Sequence, residues 1–166
     1  MNTRQITSSD KLLAHFTRVN SMSIAKLQDL TDEMHASNPL LISTFLGYSH
    51  DDRYTPDQID LVMKILTTLW HYNGGSKANE LSVEQYEAQT EKNYEFLEYW
   101  AGENENEKSK TLAEYLSNGE TDVVVGFLIL IITEKKEFER MNGGQKAKLI
   151  LELKAVNDCL GRRNEV

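Results

Sequence analysis

Cysteine, long apolar runs and a secretory signal are scarce or missing in this sequence, and each scarcity excludes a class of protein. The chain has a single cysteine, Cys159, so an intramolecular disulfide is excluded. The longest apolar run, 123–132, lies between Asp122 and Glu134 and is about half the roughly 20 residues that a membrane-spanning helix needs. Residues 1–9 lack the apolar core of a secretory signal. We therefore expect a cytoplasmic protein without a membrane span.

An excess of positive charge is also missing. The chain has 18 Lys and Arg against 26 Asp and Glu, which gives a formal net charge of -8. Nucleic-acid binding depends on Lys and Arg that neutralise phosphates, and attachment to an anionic membrane surface depends on the same residues. We therefore expect neither nucleic acid nor a membrane as a partner.

Proline and glycine are few, and their positions predict helices. Both prolines, Pro39 and Pro56, stand where a first helical position would be, directly after the capping residues Asn38 and Thr55. Eight of the nine glycines fall where amphipathic patterns end, and only Gly126 lies inside an apolar pattern. Since no segment shows the alternation of apolar and polar residues typical of a half-buried strand, the sequence predicts an all-α fold.

The most hydrophobic segment predicts the centre of that fold. Nine of the ten residues in 123–132 are apolar, and the pattern becomes amphipathic further along the chain. We expect a buried central helix at about 122–141, ended by the Asn-Gly-Gly sequence of residues 142–144. The whole chain, 1–166, then forms a single all-helical domain, a bundle of about seven or eight helices around this helix, with 1–8 as a frayed tail.

Other segments repeat apolar residues at helical spacing. Residues 56–72 give the clearest pattern, and they follow a Thr-x-x-Gln capping box that begins at Thr55. We expect a flexible link at 74–77 and a short helix around 112–116. The last predicted helix, about 145–160, spaces its apolar residues by 4, 3 and 4, as in the seam of a bundle. That seam consists of Leu149, Leu153, Val156 and Leu160.

Acidic residues concentrate in one quarter of the chain. Between 81 and 120 there are ten Asp and Glu but three Lys and Arg. Five of the glutamates are spaced by 3, 4, 4 and 3, so a helix over 83–101 places them on one face. We call this set the acidic stripe: Glu84, Glu87, Glu91, Glu95 and Glu98.

The acidic stripe has two interpretations. Like charges one turn apart repel each other, so a row of them slightly lowers the stability of the helix. The first interpretation is that the row is kept because it binds a basic protein partner. The alternative is an ordinary solvated helix face, answered by cations from neighbouring helices. The candidate cations are Lys135, Lys136, Lys146 and Lys148.

A second cluster of polar residues, His50, Asp51 and Asp52, lies in a predicted loop and offers ligands for a hard cation. Its spacing does not match a calcium-binding loop, which needs ligands at alternate positions, a glycine and a final glutamate. Asp57 and Asp60, just beyond it, have a simpler role as acids in the first turn of a helix. We therefore assign no metal and no cofactor.

No catalytic motif is present, and none of the four histidines belongs to a recognised catalytic or metal-binding spacing. Our function hypothesis is a non-enzymatic protein-interaction or regulatory module that presents the acidic stripe to a basic protein. Two alternatives remain. One is a small helical metal-binding protein or enzyme that uses the loop of His50, Asp51 and Asp52, and the other is a structural homo-oligomer that buries its apolar excess between subunits.

Overall fold

The computed structural model of the protein describes residues 8–48, 54–102 and 121–161, and these ranges contain seven α-helices. They are α1 (Ser8–Asn20), α2 (Ile24–Ser37), α3 (Pro39–Tyr48), α4 (Pro56–Tyr72), α5 (Val83–Gly102), α6 (Thr121–Glu134) and α7 (Gly143–Gly161). Two 3₁₀ turns, Gly75–Lys77 and Lys136–Phe138, interrupt the connections. Because these ranges hold no strand, the all-α prediction is confirmed.

Several helix starts follow from local chemistry. At the start of α4, the Thr55 hydroxyl accepts from the Gln58 amide, and the Gln58 side chain accepts from the Thr55 amide. The Ser23 hydroxyl caps α2 in the same sense. The predicted helix around 112–116 lies outside the described residues, as does the predicted tail apart from Ser8, the first residue of α1.

The centre of the bundle is α7, which packs against α3, α4, α5 and α6. All four residues of the predicted seam, Leu149, Leu153, Val156 and Leu160, are buried, which confirms that part of the prediction. The second half of α7 is buried on almost every side, including its polar residues Glu152, Lys154 and Asn157. A helix in this position needs internal partners for those polar groups.

The prediction of a continuous central helix over about 122–141 was wrong in its second half. Helix α6 ends at Glu134, because Lys135 adopts an extended conformation with φ -76° and ψ 129°. The following 3₁₀ turn brings Phe138 into the core, and the Gln58 side chain donates to the Glu137 carbonyl at 2.9 Å. Contacts with α4 therefore override the helical propensity of this charged segment.

The first half of that segment is helical but is not buried on all sides. Val124, Leu128 and Ile132 face the core, whereas Ile129 and Leu130 are 39% and 40% exposed. Helix α6 packs on α1 and α7 and occupies the side of the bundle. Hydrophobicity alone misplaced the centre, since α7 is less apolar than α6 and yet more buried.

The polar stretch 142–144 begins a helix and does not end one, since α6 already ends at Glu134. The Asn142 side chain accepts from the Gln145 amide, and the Gln145 side chain accepts from the Asn142 amide, both at 2.9 Å. This reciprocal pair caps α7, which starts at Gly143. The interpretation of 142–144 as a helix stop was wrong, because asparagine is also among the best N-cap residues and here caps the start of α7.

The glycine prediction holds at the ends of α4, α5 and α7, where Gly74, Gly102 and Gly161 lie. Within the described residues only Gly74 and Gly75 have positive φ, whereas Gly47 lies inside α3. The predicted flexible link after α4 is an ordered 3₁₀ turn. It is held by the Asn79 amide, which donates to the Leu160 carbonyl at 3.1 Å, and by the buried Asn38 side chain, which donates to the Asn79 carbonyl at 2.9 Å.

Candidate interaction surface

Helix α5 has one buried face and one exposed face. Tyr86, Gln89, Thr90 and Asn93 are buried, and they recur at the spacing that places them on one side of a helix with 3.6 residues per turn. This side packs on α7. Three of the four are polar, and the fourth, Tyr86, carries a hydroxyl on its aromatic ring, so the interface is more polar than the apolar side that the sequence predicted.

Polar contacts between α5 and α7 fix the rotation of α5 about its own axis. The Gln89 side chain donates to the Asp158 carboxylate at 3.2 Å, and the Lys154 ammonium lies 2.6 Å from the same carboxylate oxygen. One turn further, the Asn93 side chain donates to the Leu151 carbonyl at 3.2 Å. Because hydrogen bonds depend on direction, these contacts hold α5 in one orientation.

A buried carboxylate adds to this interface. Glu152 is 2% exposed, and its Oε1 atom accepts from the Tyr94 hydroxyl at 3.4 Å and lies 3.8 Å from the Lys148 ammonium. Burial, and secondarily the charge of Glu152, raise the pKa of Tyr86 above its ordinary value. The Tyr86 hydroxyl therefore stays protonated even above the pH at which an exposed tyrosine ionises, near its ordinary pKa of 10.0.

The opposite face of α5 carries the acidic stripe. All five glutamates, Glu84, Glu87, Glu91, Glu95 and Glu98, are exposed. The geometry thus brings them to one solvent-facing surface, and whether that surface binds a partner stays a prediction. Two of the lysines that could have answered it have contacts elsewhere: Lys135 lies over the Phe16 ring at 5.6 Å, and Lys148 approaches Glu152 on its own helix.

An apolar cleft that no sequence pattern predicted lies beside the first turn of α5. It has a volume of about 330 Å³ and is lined by Leu40, Ser43, Thr44 and Gly47 of α3 and by Val83 of α5. Leu40 and Val83 are 40% and 36% exposed. Their exposure depends on how α3 meets α5, which periodicity within either helix does not reveal.

The alternative metal site is not tested. His50, Asp51 and Asp52 lie outside the described residues. Asp57 is exposed in the first turn of α4, as predicted, and the Asp60 carboxylate lies 2.7 Å from the Lys64 ammonium. Across 8–48, 54–102 and 121–161, no group of three or more His, Cys, Asp or Glu side chains could hold a metal ion.

Two histidines from different helices meet between α1 and α4. The ring centroids of His15 and His71 are 4.8 Å apart, and the Tyr72 ring packs edge-on against His15. Partial burial, then the charges of His71 and Arg18, lower the pKa of His15. No sequence pattern predicted that these two histidines pair. They are 56 positions apart in the chain, and only the fold brings them together.

No family model matches this chain. No curated protein matches it, and no solved structure does. Within the described part of the chain, no helix is long and apolar enough to cross a membrane. Since no relative indicates a function, the surfaces of the molecule are the evidence for one.

Proposed function

We propose that this protein is a non-enzymatic interaction or regulatory module that presents the outer face of α5 to a basic protein partner. One observation supports the proposal above all: the five glutamates of the acidic stripe are exposed on a helix whose opposite face is tied to α7 by directional polar contacts. A partner would therefore meet a row of carboxylates that is already in position.

The physical role of such a surface is to guide association. Glu84 and Glu98 are 14 positions apart, which at a helical rise of 1.5 Å per residue gives a stripe about 21 Å long. Clustered charge of one sign accelerates encounter with a partner of opposite charge and discriminates against acidic proteins. Since salt screens exposed charges, binding through the stripe should weaken as ionic strength rises.

The test is an affinity purification from the native host with the wild-type protein and a variant in which all five stripe glutamates become glutamine. The matched control neutralises five exposed acids outside α5, so that both variants lose the same charge. The control positions are Asp29, Asp32, Glu33, Glu134 and Glu139. Circular dichroism and thermal unfolding would establish that all three proteins fold.

We expect one or more basic proteins to be retained by the wild type and by the control variant, and lost by the stripe variant. Equal loss in both variants would mean that net charge, and not this surface, attracts the partner. Equal retention in all three, or no retained protein, would contradict the proposal and leave the stripe as a solvated face.

A further inference from the structure

We propose that the cleft between α3 and the start of α5 receives an apolar side chain of the same basic partner, so that the recognised segment combines one apolar anchor with a row of Lys or Arg. The inference rests on the proposed function, because the acidic stripe identifies the partner as basic. It adds to the proposed function a second contact, made by an apolar side chain of the partner. It also specifies the residue types that the partner segment should contain.

The cleft is a space that its described lining residues leave unfilled. Leu40 and Val83 expose apolar surface to it, and it is an open groove of about 330 Å³ on the surface of the molecule. Gly47 contributes no side chain, and a Cβ placed there would meet no atom within 4 Å. An incoming aliphatic or aromatic side chain would therefore find apolar contacts without displacing a protein group.

The cleft and the acidic stripe adjoin each other on α5. Val83 is four residues before Glu87, so the two side chains are neighbours on the helix surface. Glu84 follows Val83 directly, and both Glu84 and Glu87 are exposed. A partner segment with its anchor in the cleft would thus continue along the carboxylates without changing direction.

Charge complementarity is what selects the occupant. A second cleft, of about 340 Å³, lies between α1 and α6 and exposes Leu13 and Leu130, but the described residues that line it are uncharged. Nothing there identifies a partner. The α3–α5 cleft differs because its apolar surface leads into a row of negative charge, which favours an apolar side chain with basic neighbours.

The dimensions limit the partner segment. From the cleft along the stripe is about 21 Å, which an extended peptide covers with six or seven residues. The anchor should govern how long the complex lasts, since a buried apolar contact contributes more to the stability of an interface than exposed charge pairs do. The basic residues should govern how fast it forms.

The probe is a phage-displayed library of random peptides of about 12 residues, selected on the full-length protein at low salt. Selected peptides would be synthesised, and their association and dissociation rates measured against four variants. Leu40→Ser removes apolar surface, and Gly47→Leu fills the space with a residue that favours helix. Leu130→Ser is the matched control, because Leu130 and Leu40 are both 40% exposed. The fourth variant is the five-glutamine stripe protein.

We expect enriched peptides to carry one large apolar residue beside several Lys or Arg. Leu40→Ser and Gly47→Leu should each weaken binding about tenfold or more through faster dissociation, and Leu130→Ser should leave it unchanged. The stripe variant should lose most of the salt dependence of the association rate. Because Gly47→Leu should not reduce helix stability, lost binding in this variant would not reflect unfolding.

Three outcomes would overturn the inference, and they separate it from the proposed function. If basic peptides bind through the stripe and neither cleft variant affects them, the proposed function stands and the anchor is wrong. If apolar peptides without basic residues bind the cleft and ignore the stripe variant, the link to a basic partner is wrong. If no peptide with the combined pattern is enriched, the cleft is not a recognition site for such segments.

Discussion

Helix α6 is more apolar than helix α7, yet it is less buried. Helix α6 contains the most apolar run in the sequence, yet it exposes Ile129 and Leu130 on the side of the bundle. Helix α7 contains Glu152, Lys154 and Asn157, yet all three are buried because four other helices surround it. The number of neighbours determines burial here, and the polar residues of α7 are tolerated because each has a partner.

Truncating one leucine in each helix should show the largest difference. Leu153 on α7 is completely buried, so Leu153→Ala should reduce the free energy of unfolding by about 2–5 kcal/mol. Leu130→Ala on α6 removes partly solvated surface and should cost less than about 1 kcal/mol. Urea unfolding of both variants checks this, and similar costs would mean that α7 is not the centre of the bundle.

Breaking the buried ion pair of α7 should give the next largest effect. Lys154→Ala leaves the Asp158 carboxylate, only 12% exposed, with the Gln89 hydrogen bond, and should cost about 2–3 kcal/mol. The matched control is Lys64→Ala on α4, which removes a pair of the same i,i+4 spacing whose acid is 57% exposed. That change should cost less than about 1 kcal/mol.

A double-mutant cycle between Lys154 and Asp158 would then isolate the pair itself. A coupling energy no larger than that of Asp60 with Lys64 would show that burial adds nothing to this interaction. The two pairs differ in the order of lysine and acid. In the pair of Lys154 with Asp158 the lysine comes four residues before the acid, which is the less favourable order on a helix, so a larger coupling energy there would have to come from burial.

Neutralising the acidic stripe extends the comparison to α5 and should have a small effect of opposite sign. The five glutamates repel their neighbours at i,i+3 and i,i+4, so replacing all of them by glutamine should stabilise the fold by up to about 1 kcal/mol at low salt. Thermal unfolding at low and high salt measures it. A clear destabilisation would show that the stripe has stabilising partners within the chain.

The smallest expected effect concerns the contact of α1 with α4. The folded protein lowers the pKa of His15 from its ordinary value of 6.5. Its neutral form is therefore favoured on folding, and the stability it contributes is complete above about pH 6.5 and is lost as the pH falls below that value. The wild type should lose more stability between about pH 7.5 and about pH 5.5 than His15→Gln does. The exposed His35→Gln serves as the control.

The candidate surface was predictable only in part. The spacing of the five glutamates predicted their shared helix face, because positions on one helix are related by its own period. The cleft of Leu40 and Val83 was not predictable, since its walls come from two helices whose relative placement depends on tertiary packing. The same reason hid the pairing of His15 with His71.

The sequence by itself determined the helical class, the cap at Thr55 and the seam of α7, because each depends on residues within a few positions of one another. Only the tertiary structure decided which helix occupies the centre, where α6 ends and what accompanies Lys154 in the interior. Those features depend on Phe138 reaching the core, Gln58 meeting the Glu137 carbonyl and Gln89 meeting Asp158. Such contacts join distant parts of the chain, and local periodicity carries no information about them.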